Sequence, residues 1–307
     1  MVDLGTATRI SCTTGNRLRS GLGVGRECAI MSSMRIDRKA LCLAAVLIGA
    51  CASSARAQTA VLPFDHIHVN EPAAEASQWW EKNIPGGRRI TEAPNRIMYG
   101  AVRLMFLGAT STGGSDGSVI EHLGFSVPDL DATMRALAAI NTKVIEPVKA
   151  APGLYNTSMI ESPWGTRVQL VQDPELVGLH HVQLRSPDPE AMYKWLLEKF
   201  GGERTKLKGQ IDSVKYPGTG GFTTVYIIAA KGSSVPSQGR AIDHIGWRST
   251  ATIAETKTML EGKSVQLTSQ PRPLELPNGP SINFFYVAGP DGARIEIVER
   301  PGLKPGQ

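Results

Sequence analysis

The residues with the most obvious chemical capacity are histidines, and their placement is not random. The chain has six: His66, His68, His122, His180, His181 and His244. Neutral imidazole is a common metal ligand and an acid–base group near neutral pH. All six sit in four segments that open alike: FDHIHVN from Phe64, IEHLGFSV from Ile120, LHHVQLRS from Leu179 and IDHIGWRS from Ile242. Each reads His, apolar, any residue, apolar, so His66, His122, His181 and His244 mark four copies of one unit. A second pair of segments closes two of the copies. SPWGTRVQLVQ (Ser162–Gln172) and GPDGARIEIVE (Gly289–Glu299) share a Pro-x-Gly turn, an arginine and alternating apolar residues. Their alignment sets neutral Gln169 opposite Glu296, and a carboxylate is the better ligand for a hard or borderline cation.

Each opening segment alternates with period two, which predicts a half-buried strand. Ile67 and Val69, Leu123 and Phe125, Val182 and Leu184, and Ile245 and Trp247 face a core, and the histidines face the other way. A helix is predicted after each strand. The third copy shows it best, with Asp188 as N-cap, Pro189 at the first helical position and Gly201 as the stop. Strand-like stretches such as VRLMFL (Val102–Leu107) and TTVYIIA (Thr223–Ala229) follow the helices. The expected fold class is therefore α+β, built from four β-α-β-β-β modules.

Composition excludes several functions. Residues 58–307 hold 25 basic and 25 acidic residues, so the overall charge of +5 comes from the N-terminal stretch. A neutral remainder offers no electrostatic footprint for nucleic acid. All four cysteines (Cys12, Cys28, Cys42, Cys51) precede residue 52, which removes thiolate nucleophiles, thiolate metal sites and disulfides from the rest. The N-terminal stretch itself reads as a leader. Arg35, Arg38 and Lys39 precede the apolar run Ala40–Ala50, which is too short to span a bilayer, and Ala55-Arg56-Ala57 is an A-x-A cleavage site. Residues 1–57 are thus expected to direct export to a periplasmic or secreted location, with Met34 as the true start. Ile48-Gly49-Ala50-Cys51 resembles a lipobox, which would instead anchor Cys51 through acyl chains.

Repeated β-α-β-β-β units with His on a first strand and Glu on a last strand resemble the vicinal oxygen chelate superfamily. That group includes glyoxalase I, the bleomycin and fosfomycin resistance proteins and the type I extradiol dioxygenases. The resemblance covers nearly all of residues 62–300. It implies that modules pair into half-open barrels with a metal in the cavity. Sequential pairing gives a first domain over 62–174 and a second over 176–300, joined by Asp173-Pro174-Glu175. Carried over by position, the resemblance implies a divalent-metal site made by His181, His244 and Glu296, with Fe(II) or Mn(II) favoured and Zn(II) compatible. It places a fourth position near Tyr226 and a substrate-contacting residue at Tyr286. The first domain offers His66, His68, His122 and Gln169, with its fourth position near Leu104 or Phe106, and is expected to be degenerate.

The implied function is a metal-dependent enzyme, dioxygenase-like or a lyase/isomerase, acting on a small molecule that chelates through adjacent oxygens. The alternative is a metal-free binding protein of the bleomycin-resistance type. The chain departs from the extradiol pattern in two places. No histidine lies between His181 and His244, and Pro277-Asn278-Gly279 stands where a further histidine is expected. Proton transfer is then left to Tyr226, Tyr286 or water.

Overall fold

The structure is a computed structural model describing residues 60–90, 93–150, 155–218, 224–275 and 281–301. The leader, the lipobox and Pro277-Asn278-Gly279 lie outside these residues. The first module comprises β1 (Phe64–Val69), the helix Ala73–Asn83, β2 (Gly87–Ile90), β3 (Ala93–Tyr99) and β4 (Val102–Phe106). The second has β5 (Ile120–Ser126), the helix Leu130–Ala139, β6 (Lys143–Lys149), β7 (Thr157–Glu161) and β8 (Arg167–Val171). The third has β9 (Gly178–Ser186), the helix Pro189–Phe200, β10 (Glu203–Leu207), β11 (Ile211–Pro217) and β12 (Thr224–Lys231). The fourth has β13 (Ile242–Arg248), the helix Ile253–Gly262, β14 (Arg272–Leu274), β15 (Ile282–Ala288) and β16 (Arg294–Glu299).

Local chemistry sets the helix boundaries. The Asp188 carboxylate accepts from the Ala191 N–H at 3.0 Å, and Gly201 ends that helix at φ 74°. The Asp129 carboxylate accepts from the Ala132 N–H at 2.8 Å. Thr252 and Glu255 form a reciprocal capping box at the last helix, satisfying donors that the first turn leaves open.

The modules do not pair in sequence order. One eight-stranded sheet runs β14-β15-β16-β13-β1-β4-β3-β2, uniting modules one and four. The other runs β10-β11-β12-β9-β5-β8-β7-β6, uniting modules two and three. Neither 62–174 nor 176–300 therefore holds a whole sheet. Asp173-Pro174-Glu175 joins β8 to β9, both neighbours of β5. The crossings are instead residues 107–119 and 232–241, which lie side by side. The Thr112 N–H donates to Gly239 O at 2.7 Å, Ala241 N–H to Gly113 O at 2.9 Å, and Val119 N–H to Val235 O at 2.9 Å. Two paired crossings carry the chain out of the first sheet and back to it, bringing β13 antiparallel to β1.

Modules one and two, and modules three and four, share a core even though they do not share a sheet. Trp80 from the first helix packs against Phe125 of β5, with ring centroids 5.6 Å apart. Phe200 from the third helix packs on Trp247 of β13 at 4.7 Å. A buried carboxylate also ties module one to module two. Glu71 accepts from the Trp80 Nε1–H at 2.7 Å, the Ser162 hydroxyl at 2.9 Å and the Thr166 hydroxyl at 2.6 Å. These three donors offset the cost of holding Glu71 away from water.

Candidate metal centre

β1 and β13 lie side by side at the centre of the first sheet, and their register builds the site. His68 faces His244 across the pair, and His66 faces Gly246. A Cβ at position 246 would stand 2.0 Å from Cε1 of His66, so glycine there leaves the imidazole its room. β16 runs parallel to β13 with Glu296 beside Gly246. His66, His68, His244 and Glu296 thereby each present one ligand atom, all within 4.8 Å of one another.

A bulge between Phe64 and His66 changes the local facing of β1. It lets the buried Asp65 carboxylate turn to its own neighbour, a common use of a bulge near a site. Asp65 Oδ2 accepts from the His66 Nδ1–H at 2.9 Å. Asp243 Oδ1 accepts from the His244 Nδ1–H at 2.5 Å and from Arg294 Nη1 at 2.6 Å. Both Nε2 atoms consequently point at Glu296, at 3.7 Å from Oε1 for His66 and 3.0 Å from Oε2 for His244.

These residues suit a divalent cation on three observations. Carboxylates on Nδ1 fix the ring orientation that metal-bound histidines need. Buried His66 Nε2 and His68 Nδ1 have no hydrogen-bond partner among the described residues. Finally, an imidazole lone pair and a carboxylate oxygen attract one another only through a shared cation or proton. Burial opposes charge on His66, but Glu296 and Asp65 outweigh it and raise its pKa. Burial likewise opposes ionisation of Glu296, but His66 and His244 hold its pKa well below the usual range. Burial, reinforced by His244 and His66, pushes His68 well down, so it stays a neutral ligand.

The site opens into a cavity of about 520 Å³ lined by His68, Glu296, Tyr286, Phe284, Arg96 and Arg300, among others. Tyr286 stands opposite Glu296 in the β15–β16 register. Its ring lies 5.2 Å from that of His244, and the Arg294 guanidinium covers it at 3.9 Å. Burial and the neighbouring Glu296 raise the Tyr286 pKa, keeping the phenol protonated near neutrality.

Of the residues singled out in the sequence, the structure brings His244, Glu296 and Tyr286 together and joins them with His66 and His68. His181 and Tyr226 lie elsewhere. Both belong to the second sheet, opposite one another in the β9–β12 register. The His181 ring lies over Gly124, where a Cβ would come within 2.0 Å of it. His181 Nε2 is 3.3 Å from His122 Nε2. In the second sheet Gln183 occupies the place of His68 and Gln169 that of Glu296, so the nearest counterpart of the metal centre lacks its carboxylate. The fourth position also shifts in both sheets. Register sets Met105 beside His68, rather than Leu104 or Phe106, and Ile228 beside Gln183, rather than Tyr226. The groups that orient the ligands, Asp65, Asp243 and Arg294, were not expected from sequence. The Asp-His dipeptides of modules one and four were the available signal.

The second sheet has its own histidine chain. His180 Nδ1 lies 2.8 Å from His181 Nδ1, and His180 Nε2–H donates to Asp173 Oδ2 at 3.3 Å. Burial, then Arg167 and Arg185, lowers His122 to about 3. Burial, then His180 and His122, pushes His181 well down. Burial lowers His180 against the pull of Asp173. These groups stay neutral when folded but take up protons near pH 6.5 when unfolded. Stability present above about pH 6.5 is therefore lost as pH falls, by up to about 1.4 kcal/mol per pH unit for each such group. His66, with its raised pKa, contributes in the opposite sense. Calorimetry on metal-free protein is expected to show Tm falling steadily from about pH 7 to pH 5.5. A flat profile over that interval would contradict the neutral-histidine assignment.

No protein-family model matches the chain, and no curated protein matches it in sequence. Solved structures do match its fold. Glyoxalase I from Zea mays aligns with a TM-score of 0.58 at 14% identity, over 77% of this chain and 92% of the other. A mutant of the same Zea mays enzyme gives 0.57 at 16% identity, covering 77% and 93%. A candidate dioxygenase from Bacillus subtilis subsp. subtilis str. 168 gives 0.54 at 16% identity, covering 79% and 86%. The fold is that of these glyoxalase I structures, with two eight-stranded sheets in one chain, each built from two modules.

Proposed function

We propose that the protein is a metal-dependent enzyme acting on a small molecule that offers adjacent oxygens to the metal. The single observation carrying this reading is the convergence of three imidazoles and one carboxylate at the head of a cavity. His66, His244 and Glu296 would hold the ion, with His68 as a fourth ligand on the cavity side. The three-histidine, one-carboxylate set suits Fe(II), Mn(II) or Zn(II). Such an ion supplies Lewis acidity or, if iron, access to dioxygen chemistry.

The chain's own residues then bind and move protons. Tyr286 keeps its proton and is placed to donate a hydrogen bond to an oxygen of the substrate. Arg294 fixes the Tyr286 ring and Asp243 together. The apolar cavity wall excludes water from the reacting end. The reaction class is an oxygenase or a lyase/isomerase, and export of the chain through its leader belongs to the same proposal. The two glutamines of the second sheet favour a subsidiary reading for that half alone, as metal-free support or ligand storage.

The test is elemental analysis after loading with Fe(II), Mn(II) or Zn(II), followed by oxygen uptake on a panel of catechols. Failure to retain any of the three ions would overturn the proposal. A graded prediction follows from the carboxylates behind the ligands. Asp243→Asn keeps the size but weakens the hold on His244 Nδ1–H, and is expected to reduce Mn(II) affinity by about 10- to 100-fold. Competition against a chelator measures it, and an unchanged affinity would remove Asp243 from the centre.

A further inference from the structure

The cavity also carries cationic groups beside the histidines. Arg300 lines the cavity and is only 4% exposed. Its Nε–H donates to Asp65 Oδ2 at 2.9 Å, but its buried Nη2 has no hydrogen-bond partner among the described residues. Asp65 is already committed, since Arg103 Nη1 donates to its Oδ1 at 3.1 Å and His66 Nδ1 to its Oδ2. Arg96 lines the same cavity, and its Nε bonds Asn95 Oδ1 at 3.2 Å. Burial and the nearby Arg300 charge both disfavour the charged form of Arg96. Two carboxylates line the cavity. Glu296 is held by the histidines, and Glu275 is exposed and accepts from the Ser281 hydroxyl at 2.5 Å. Neither is hydrogen-bonded to Arg96 or Arg300 among the described contacts.

A buried guanidinium edge without an acceptor is costly. Its planar fork matches a carboxylate in two-point contact. The rest of the cavity wall is mostly apolar, with Phe284, Ile282 and Phe106 prominent.

We infer that the substrate is a small carboxylate with an apolar, ring-sized body, its carboxylate held by Arg300 and Arg96 in the cavity that His68 and Glu296 also line. The inference rests on the cavity being the substrate site proposed above. Because Arg300 also bonds Asp65, which in turn orients His66, the anion subsite and the metal centre are linked through one shared carboxylate.

The test uses EDTA-treated protein, so that a carboxylate cannot simply bind the metal, and calorimetric titration with benzoate, its neutral isostere benzamide, and inorganic phosphate. Benzoate is expected to bind at least about tenfold more tightly than benzamide, and Arg96→Gln and Arg300→Gln are each expected to cut that preference by about tenfold. Arg96→Gln leaves the Asp65 bridge intact, so it reports on the subsite if Arg300→Gln disturbs folding. Equal binding of benzoate and benzamide, no binding of either, tighter binding of phosphate, or a preference surviving Arg96→Gln would overturn the inference. If benzoate behaves as expected while the protein retains no metal after loading, the metal proposal fails and the anion subsite stands.

Discussion

Replacing His66, His244 or Glu296 by alanine is expected to reduce bound Mn(II) from about one ion per chain to near zero, whereas His181→Ala is expected to retain it. Sequential pairing of the modules would make His181 a ligand with His244 and Glu296. The sheets instead place His181 across from Gly124 and His66 across from Gly246. The two histidines are counterparts by symmetry, but His66 stands beside Glu296 and His181 beside His122. His68→Ala is expected to weaken binding without abolishing it, because His66, His244 and Glu296 remain as a facial set. Elemental analysis after desalting reads all five proteins. Loss of metal in His181→Ala with retention in His66→Ala would restore the sequential ligand set and refute the shared-sheet centre.

Expressed separately, residues 60–174 and 176–301 are each expected to be poorly folded, while co-expression should recover a complex. Either half alone holds one module of each sheet. β1 would lose β13, β5 would lose β9, and the freed central strands would expose hydrogen-bonding edges and apolar faces. The aromatic contacts Trp80–Phe125 and Phe200–Trp247 survive within the halves, so compact but sheet-deficient species are the expected products. Size-exclusion chromatography and circular dichroism distinguish these outcomes. A monomeric, cooperatively folded, metal-binding 176–301 fragment would contradict the architecture.

Much of this was legible in the sequence, and the reason is periodicity. Alternation placed the histidines of all four opening strands opposite the core, and the Pro-x-Gly-x-Arg motif matched Glu296 with Gln169. Asp188 and Gly201 were readable because helix ends depend on local chemistry. Module pairing was not readable in the same way. The four opening strands are near-equivalents, so either pairing buries the same faces, and the choice depends on two distant crossings that zip together. The ligand set inherited that ambiguity, which is why His181 was exchanged for His66 and His68. Asp65-His66 and Asp243-His244 stood apart from Glu121-His122 and His180-His181, but the use of Asp65 depends on a bulge that no alternation pattern announces. Arg300, four residues beyond Glu296, looks like the frayed end of a strand until the cavity is seen.

The nesting of one sheet's strands inside the other's sequence span has a consequence for when the centre can be assembled. Its ligands enclose the whole of the second sheet, from His66 to Glu296. Contacts of such high sequence separation are slow to form and close only after the intervening chain has collapsed. On the proposed ligand set, metal acquisition would therefore be coupled to synthesis of the chain through β16. A chain truncated anywhere before β16 carries three of the four candidate ligands at most, so ion uptake through this set would discriminate finished molecules from fragments.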